Sequence, residues 1–221
     1  TFHNEKFIFD TTFDFTERAG KSGYYSGEGD LITVRPGNHM WETNFVPDLA
    51  AIELKTWGDR GAGGTNIMFV LADGTMHAHV SQIPKGRYKK AHRHAAGTHV
   101  HAIDGEGYSL LWHEGDSEFK EIPWRHGIMY VPPFWMFHQH FNTGASPARY
   151  LAFKPGNSPR NAQGVPLSWI SRRLGGNQID YADETKLVRE LFSSELGKQG
   201  LAPQMDAAYA QELETLPPKV A

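Results

Sequence analysis

The sequence contains no cysteine. This absence excludes disulfide bridges, a thiolate nucleophile, iron–sulfur ligation and every zinc site that uses cysteine sulfur. The sequence also lacks an apolar run of the roughly 20 residues that a helix needs to cross a bilayer. Its first residues have neither the cationic nor the apolar block of a signal peptide. We therefore expect a cytoplasmic protein that has no membrane partner.

Neither sign of charge dominates the chain. It has 22 Lys and Arg residues against 25 Asp and Glu residues, a formal charge of −3, and no basic stripe. Phosphate backbones require such a stripe, so we expect no nucleic-acid partner. With 221 residues, 39% of them hydrophobic, the chain can close a sizeable core. We expect one compact domain with appendages.

Short apolar runs bounded by turn residues fill the middle of the chain. They cover residues 50–57, 66–71, 76–83, 99–103, 108–113, 128–131 and 148–154. Strands this short and this evenly spaced are typical of an antiparallel sandwich or barrel. The pattern predicts an all-β fold, with the barrel over residues 45–176.

The two ends of the chain have different patterns. Residues 1–44 combine scattered aromatics with a Gly-rich stretch, which predicts an N-terminal arm with one or two short strands. Residues 177–221 predict a C-terminal helical extension, with one helix over about 185–196 and a second over about 205–213. One small barrel does not offer an evident cover for the apolar faces of the arm and the first helix. We therefore expect a homodimer.

Histidine is the residue in excess. Twelve histidines would form about 0.65 His-x-His pairs by chance, and the sequence contains four of them. They are His77/His79, His92/His94, His99/His101 and His138/His140. Residues two apart on a strand point to the same face, so a metal can bind both His92 and His94. His138, from a later strand, can complete a set of three nitrogens.

Two motifs containing these histidines resemble those of the cupin superfamily. Gly86, His92, His94 and Gly105 match the first motif, and residues 127–142, with Pro133, His138 and Asn142, match the second. The resemblance implies a double-stranded β-helix (jelly-roll) barrel with a metal at its centre. Cupins usually add a Glu ligand after His-x-His, but Thr98 stands in that place here. The metal ligands would then be three imidazoles, those of His92, His94 and His138.

Within the superfamily the chain resembles the gentisate dioxygenase-like ring-cleaving enzymes. The similar segments are residues 92–94 with Thr98, residues 105–107, and residues 135–142. The resemblance implies Fe(II), dioxygen and a small hydroxylated substrate, with aromatic and non-aromatic substrates both open. Mn, Ni, Cu and Zn stay open, because imidazole accepts all of them. The family's carboxylate-binding arginine aligns with Val100 and a polar acid aligns with Ala152, so gentisate itself is not the expected substrate.

Other side chains are candidates for the site, each with a structural alternative. His140 is expected beside the metal as a proton carrier, and His79 is a candidate acid–base group, although strand parity leaves His77 and His79 undecided. The candidate substrate contacts are Trp135, Phe137, Thr98, Val100 and Tyr108, with Tyr108 and Tyr130 also candidate proton donors. Core packing is the alternative for the aromatics. His99 and His101 are expected to point away from the metal.

Two features stay open at this level. The basic cluster Lys85, Arg87, Lys89 and Lys90 precedes the first ligands and would attract an anion, unless it is only a solvated turn. The chemistry is also undecided. The leading hypothesis is an Fe(II) dioxygenase; a metal-dependent lyase, decarboxylase or isomerase and a non-catalytic small-molecule-binding cupin are the alternatives.

Overall fold

The computed structural model describes residues 27–43, 45–71, 75–94, 97–156 and 159–219. Most of the predicted N-terminal arm, residues 1–26, lies outside the described residues. The described strands are β1 (Asp30–Arg35), β2 (Asn38–Glu42), β3 (Lys55–Thr56), β4 (Thr65–Leu71), β5 (Met76–Ile83), β6 (His99–Asp104), β7 (Glu106–Trp112), β8 (Lys120–Arg125), β9 (Met129–Tyr130), β10 (Phe137–Asn142) and β11 (Ala148–Pro155). Two α-helices follow, α1 (Lys186–Lys198) and α2 (Asp206–Thr215). No helix within these ranges is both long and apolar enough to cross a membrane.

The strands form two sheets. The larger sheet has the order β1-β2-β4-β5-β11-β6-β9, with β3 beside β4, and the smaller sheet has the order β10-β7-β8. All pairs are antiparallel except β2 with β4. The predicted all-β jelly-roll fold is confirmed.

Gly105 makes the corner at which the chain leaves the larger sheet for the smaller one. It is the single residue between β6 and β7 and has a φ of +78°. A Cβ at this position would lie 2.7 Å from the Cα of Ala148. Both the backbone conformation and the close approach require glycine, which explains the last glycine of the first motif.

Most of the predicted strands coincide with observed ones. The run at 76–83 is β5, and the runs at 66–71, 99–103, 108–113 and 148–154 differ from β4, β6, β7 and β11 by one or two residues at an end. The run at 50–57 contains only the two-residue β3. The sequence pattern misses β8, because that strand carries charged, exposed residues and a proline and so lacks an apolar run.

Alternate residues of the larger sheet face different surroundings. Ile67 and Phe69 of β4 join Ala78 and Val80 of β5 and Leu151 of β11 in one hydrophobic cluster. The residues between them point to the opposite face, as the period of two in a strand requires. That opposite face lines the cavity described below.

Helix α1 covers the outer face of the smaller sheet. Its buried residues are Val188, Phe192 and Leu196, and they pack in one cluster with Tyr88 and Phe141. The apolar face that the sequence pattern assigned to a partner is therefore covered by the same chain. The homodimer stays a prediction, without support from this helix.

A carboxyl group is buried beneath α1. Glu184 accepts hydrogen bonds from the Tyr88 hydroxyl at 2.7 Å and from Gln139 Nε2 at 2.6 Å. Burial raises the pKa of Glu184 from 4.5 to about 7, and the two hydrogen bonds oppose this shift. The folded protein therefore holds a proton that the unfolded chain has already lost between these two pH values.

We predict that this carboxyl makes the protein less stable as the pH rises. The contribution of Glu184 to the free energy of unfolding should fall between pH 4.5 and about 7, because at this carboxyl the folded state binds more protons than the unfolded state. Relative to the wild type, Glu184→Gln should therefore gain stability at about pH 8 over its stability at about pH 5, which thermal unfolding at the two pH values would measure. Glu118→Gln, at an exposed position, is the control. Equal pH dependence in both variants would contradict the prediction.

Candidate metal centre

The side chains of His92, His94 and His138 converge in the barrel. One ligand-capable ring nitrogen from each lies within 4.8 Å of the other two. The ring centroids are 4.2 Å apart for His92 and His138, 4.8 Å for His94 and His138, and 5.6 Å for His92 and His94. The structure thus brings together the three histidines that the two motifs predict as ligands.

Backbone pairing holds the two motifs against each other. The amide of His92 donates to the carbonyl of His138 at 3.1 Å, and the amide of His138 donates back at 2.9 Å. The pairing continues along β10 through Lys89 N to His140 O and Asn142 N to Arg87 O, both at 3.1 Å. The prediction that His92 and His94 lie at the start of a strand is wrong. They lie in the irregular segment before β6, and this segment acts as a neighbour of β10.

Local hydrogen bonds orient the imidazoles. His138 Nδ1 lies 3.2 Å from the carbonyl oxygen of Met136, and His92 Nδ1 lies 3.5 Å from that of Lys90. A ring that donates from Nδ1 to a carbonyl presents Nε2 to a metal, which is the usual arrangement for a histidine ligand. Thr98 Oγ1 lies 3.3 Å from His94 Nε2. The hydroxyl that replaces the usual Glu is therefore beside the ligand nitrogens.

The environment favours the neutral form of His92 and His138. Burial, together with the nearby positive charge of Arg60, lowers the pKa of His92 well below 6.5 and that of His138 to about 4. Metals bind the neutral form of imidazole. Three neutral nitrogen donors without a carboxylate fit Fe(II), Mn(II), Ni(II), Cu(II) or Zn(II), and they do not fit Ca²⁺ or Mg²⁺, which prefer oxygen.

His140 lies beside the three ligands on the same face of β10. Its ring centroid is 5.6 Å from that of His138. Its Nδ1 is 2.8 Å from Ser109 Oγ and 2.9 Å from the Tyr130 hydroxyl, and these two hydroxyls are 2.5 Å apart. Trp124 Nε1 also donates to Ser109 Oγ, at 3.0 Å. Because either hydroxyl can donate or accept, the group can stabilise both neutral tautomers of His140.

A cavity of about 30 Å³ lies next to the three ligands. Of the predicted site residues, His79, His140, Thr98 and Val100 line it. His77 also lines it, so the structure resolves the uncertain strand parity by turning both His77 and His79 inward. Burial and nearby cations, Lys154 foremost among them, lower the pKa of both.

Trp135, Phe137 and Tyr108 do not line this cavity. Because His138 and His140 face inward, Phe137 faces the other way, where its ring stacks on Trp112 with the centroids 5.6 Å apart. Tyr108 stacks on Phe141 at 4.6 Å in the cluster beneath α1. The side chain of Trp135 lies against Arg93. These positions do not support the expected substrate contacts or the proton donation expected of Tyr108. His99 and His101 lie outside the cavity, as expected.

Sequence reasoning missed several residues of the site. Trp57, Tyr150 and Trp169 supply aromatic walls, while Arg60 and Lys154 supply positive charge. They come from the turn before β4, from β11 and from a 3₁₀ turn near residue 168. None of these residues lies in either motif. A single basic or aromatic residue within a strand pattern does not by itself predict a binding site.

We predict that His138→Ala removes most of the bound metal. The change leaves two of three nitrogen donors and keeps the backbone pairing with His92. Metal content per chain after dialysis, measured by elemental analysis, checks this. His99→Ala, at an exposed position on β6, is the control and should keep the wild-type content. Equal metal content in the two variants would contradict the assignment.

Comparisons with known proteins yield resemblances in structure only. No family model matches the sequence, and no curated protein matches it. Among solved structures, the chain is similar to the cupin domain of Cnp3 from Schizosaccharomyces pombe (10% identity, TM-score 0.43, 61% of this chain and 87% of that one). It is also similar to a cupin-2 domain from Rhodospirillum rubrum (14% identity, TM-score 0.40, 51% and 77%).

A third similar structure is the salicylate 1,2-dioxygenase from Pseudaminobacter salicylatoxidans, at 15% identity and a TM-score of 0.35. The match covers 42% of this chain and 26% of that chain, so the present sequence spans about a quarter of that enzyme. On its own strand pairing, its corner glycine and its histidine cluster, the chain has the cupin fold, with three converging histidines inside the barrel.

Proposed function

We propose that this protein is a metal-dependent dioxygenase that uses Fe(II) on His92, His94 and His138 to oxidise or ring-cleave a small hydroxylated substrate. The observation that carries the proposal is the donor set: three neutral imidazoles with a threonine where a fourth, anionic ligand would stand. Bound there, Fe(II) would supply activation of dioxygen beside an oxygen-chelating substrate.

The aromatic side chains in the cavity wall support a flat organic substrate. Trp57 and Trp169 meet edge to face in this wall, with ring centroids 5.3 Å apart, and Tyr150 lies opposite His79 and His140 at 6.1 and 5.1 Å. Such rings bind a flat, partly apolar molecule and exclude water from the reacting atoms.

His140 is the group we assign to proton transfer. Its Nδ1 contacts Ser109 and Tyr130, so Nε2 is the ring nitrogen left for the cavity. Burial, with neighbouring positive charge, lowers the pKa of His140 well below 6.5, so the ring is neutral at neutral pH. In the tautomer that donates from Nδ1 to the Ser109 or Tyr130 hydroxyl, Nε2 is free to take a proton from a substrate hydroxyl and later to return it.

A second candidate is a metal-dependent lyase, decarboxylase or isomerase. The same observation on His140 favours it, because an acid–base group beside a Lewis-acidic metal serves that chemistry without dioxygen. Oxygen uptake separates the two. The Fe(II)-loaded protein, mixed with catechols, dihydroxybenzoates or small diketones, should consume oxygen, and the Zn(II)-loaded protein should not. Product formation by the Zn(II) form, without oxygen uptake, would favour the second candidate. A protein that holds no metal would favour a binding module.

We predict that Thr98→Glu keeps or strengthens metal binding and lowers oxygen uptake. The carboxylate would add a fourth ligand next to His94, where the Thr98 hydroxyl now lies 3.3 Å from the ring nitrogen. It would occupy a position that substrate or dioxygen needs. Turnover should fall by about 100-fold, equivalent to about 2.7 kcal/mol of activation free energy.

Thr98→Ser is the matched control, since it keeps the hydroxyl and adds no charge. Its oxygen uptake, measured with an electrode on the same substrate, should stay near that of the wild type. Full turnover in Thr98→Glu would contradict the claim that a fourth, anionic ligand blocks the oxygenase reaction. The lyase or isomerase would then be the better assignment.

A further inference from the structure

The cavity carries positive charge that the three-histidine site does not require. Arg60 and Lys154 line it, with only 5% and 6% of their surface exposed. Lys89, 2% exposed, stands behind the wall, where its ammonium lies 5.2 Å from the Tyr150 ring centroid and 5.9 Å from that of Trp57. Three basic side chains are therefore buried at one end of the proposed metal site.

In the described chain no acid forms an ion pair with these groups, and Asp59, whose charge favours the charged form of Arg60, is paired with Arg35. Arg60 uses one nitrogen, Nη1, to donate to the carbonyl of Ser168 at 2.6 Å and to Gln178 Oε1 at 3.0 Å, and both acceptors are neutral. Within the described ranges, neither its Nη2 nor the ammonium of Lys154 has a hydrogen-bond acceptor or an ion-pair partner. The Lys154 ammonium lies 6.0 Å from the Trp169 ring centroid. No Asp or Glu lines the cavity in this part of the chain.

The neighbouring Lys90, which is partly buried, pairs with carboxylates instead. Its ammonium lies 3.1 Å from Asp180 Oδ1 and 2.6 Å from Glu212 Oε1. Lys89, the adjacent residue, has aromatic faces in place of carboxylates. A buried charge without a counter-ion destabilises the folded state, so the unpaired cations indicate an anion that arrives from outside.

The pKa values agree with this deficit of negative charge. Burial and the charge of Arg60 lower the pKa of Lys154 to about 8 and that of Lys89 to about 7, and burial lowers the pKa of Arg60 itself to about 9. A bound anion would raise all three values towards normal, and by linkage the same coupling would favour binding of the anion.

We propose that Arg60 and Lys154 form a subsite for the carboxylate of an organic anion, whose oxygen-bearing other end reaches the three histidines. Lys89 adds positive potential from behind Trp57 and Tyr150. The carboxylate subsite stands on these contacts alone, whereas the metal-binding end of the anion rests on the proposed function. The substrate class is then a hydroxylated, flat carboxylic acid rather than a neutral diol. Arg60 and Lys154 come from the turn before β4 and from β11. The subsite therefore differs from the position of Val100 on β6, with which the carboxylate-binding arginine of the resembling enzymes aligns.

The experiment compares two probes that share a metal-binding diol and differ in the carboxylate, 3,4-dihydroxybenzoate and catechol. Binding to the Zn(II)-loaded full chain is measured by titration calorimetry, since zinc allows binding without oxygen chemistry. The wild type should bind the carboxylate at least about tenfold more tightly than catechol. Lys154→Met should remove most of this preference and leave catechol binding within about twofold.

Two further variants make the test specific. Arg160→Gln is the matched control: Arg160 is exposed, adds positive potential at Lys154, and does not line the cavity. It should keep the preference within about twofold. Arg60→Gln should lose the preference as Lys154→Met does. Arg60 also donates hydrogen bonds to Ser168 and Gln178, so Arg60→Gln could fail to fold. In that case the result for Lys154→Met alone decides the test.

A wild type that binds both probes equally, or a preference that survives Lys154→Met, overturns the subsite. A preference lost equally in Arg160→Gln also overturns it, because the charge would then act only through the general field. Failure of the proposed function gives a different result: the preference would persist, and the Fe(II) form would consume no oxygen with either probe. If the chain binds no zinc, benzoate against benzamide on the metal-free chain tests the subsite alone, with the same variants and expected direction.

Discussion

The pairing of the His92 segment with β10 is the constraint on which the site depends. Reciprocal backbone hydrogen bonds between His92 and His138 set the separation of ligands that come from two distant motifs. On its other side, the same segment donates from Arg93 N to Asn177 O and accepts at Ala91 O from Ile179 N. The irregular segment around His92 is thus hydrogen-bonded on both sides, as a central strand of a sheet is. A metal site needs ligand positions fixed to a fraction of an ångström, and this backbone pairing supplies them.

Strand alternation then divides the side chains between the core and the cavity. Along β10, His138 and His140 face inward, while Phe137 and Phe141 pack outward against the remaining core. Helix α1 covers the outward face of that sheet. The helix therefore packs against the apolar side of the strand whose other side carries His138 and His140.

Electrostatics give the cavity a consistent character. The cations lie at one end, the wall contains no carboxylate in the described chain, and burial lowers the pKa values of His92 and His140. The cations and the absence of carboxylates favour anions, and in a water-poor site such interactions are stronger than at the surface. This character agrees with the oxygen-rich anion that we propose as the substrate.

The sequence by itself determined the fold class, most strand positions and the three candidate ligands, because strand alternation and motif spacing are local properties. It could not determine which face His77 and His79 present, that Phe137 and Tyr108 turn away, or that α1 covers its own barrel. The faces that these four side chains present depend on the register of their strands in the sheets. The meeting of Arg60 with Lys154 was equally hidden, because residues far apart in sequence become neighbours only when the sheets close and bury both charges.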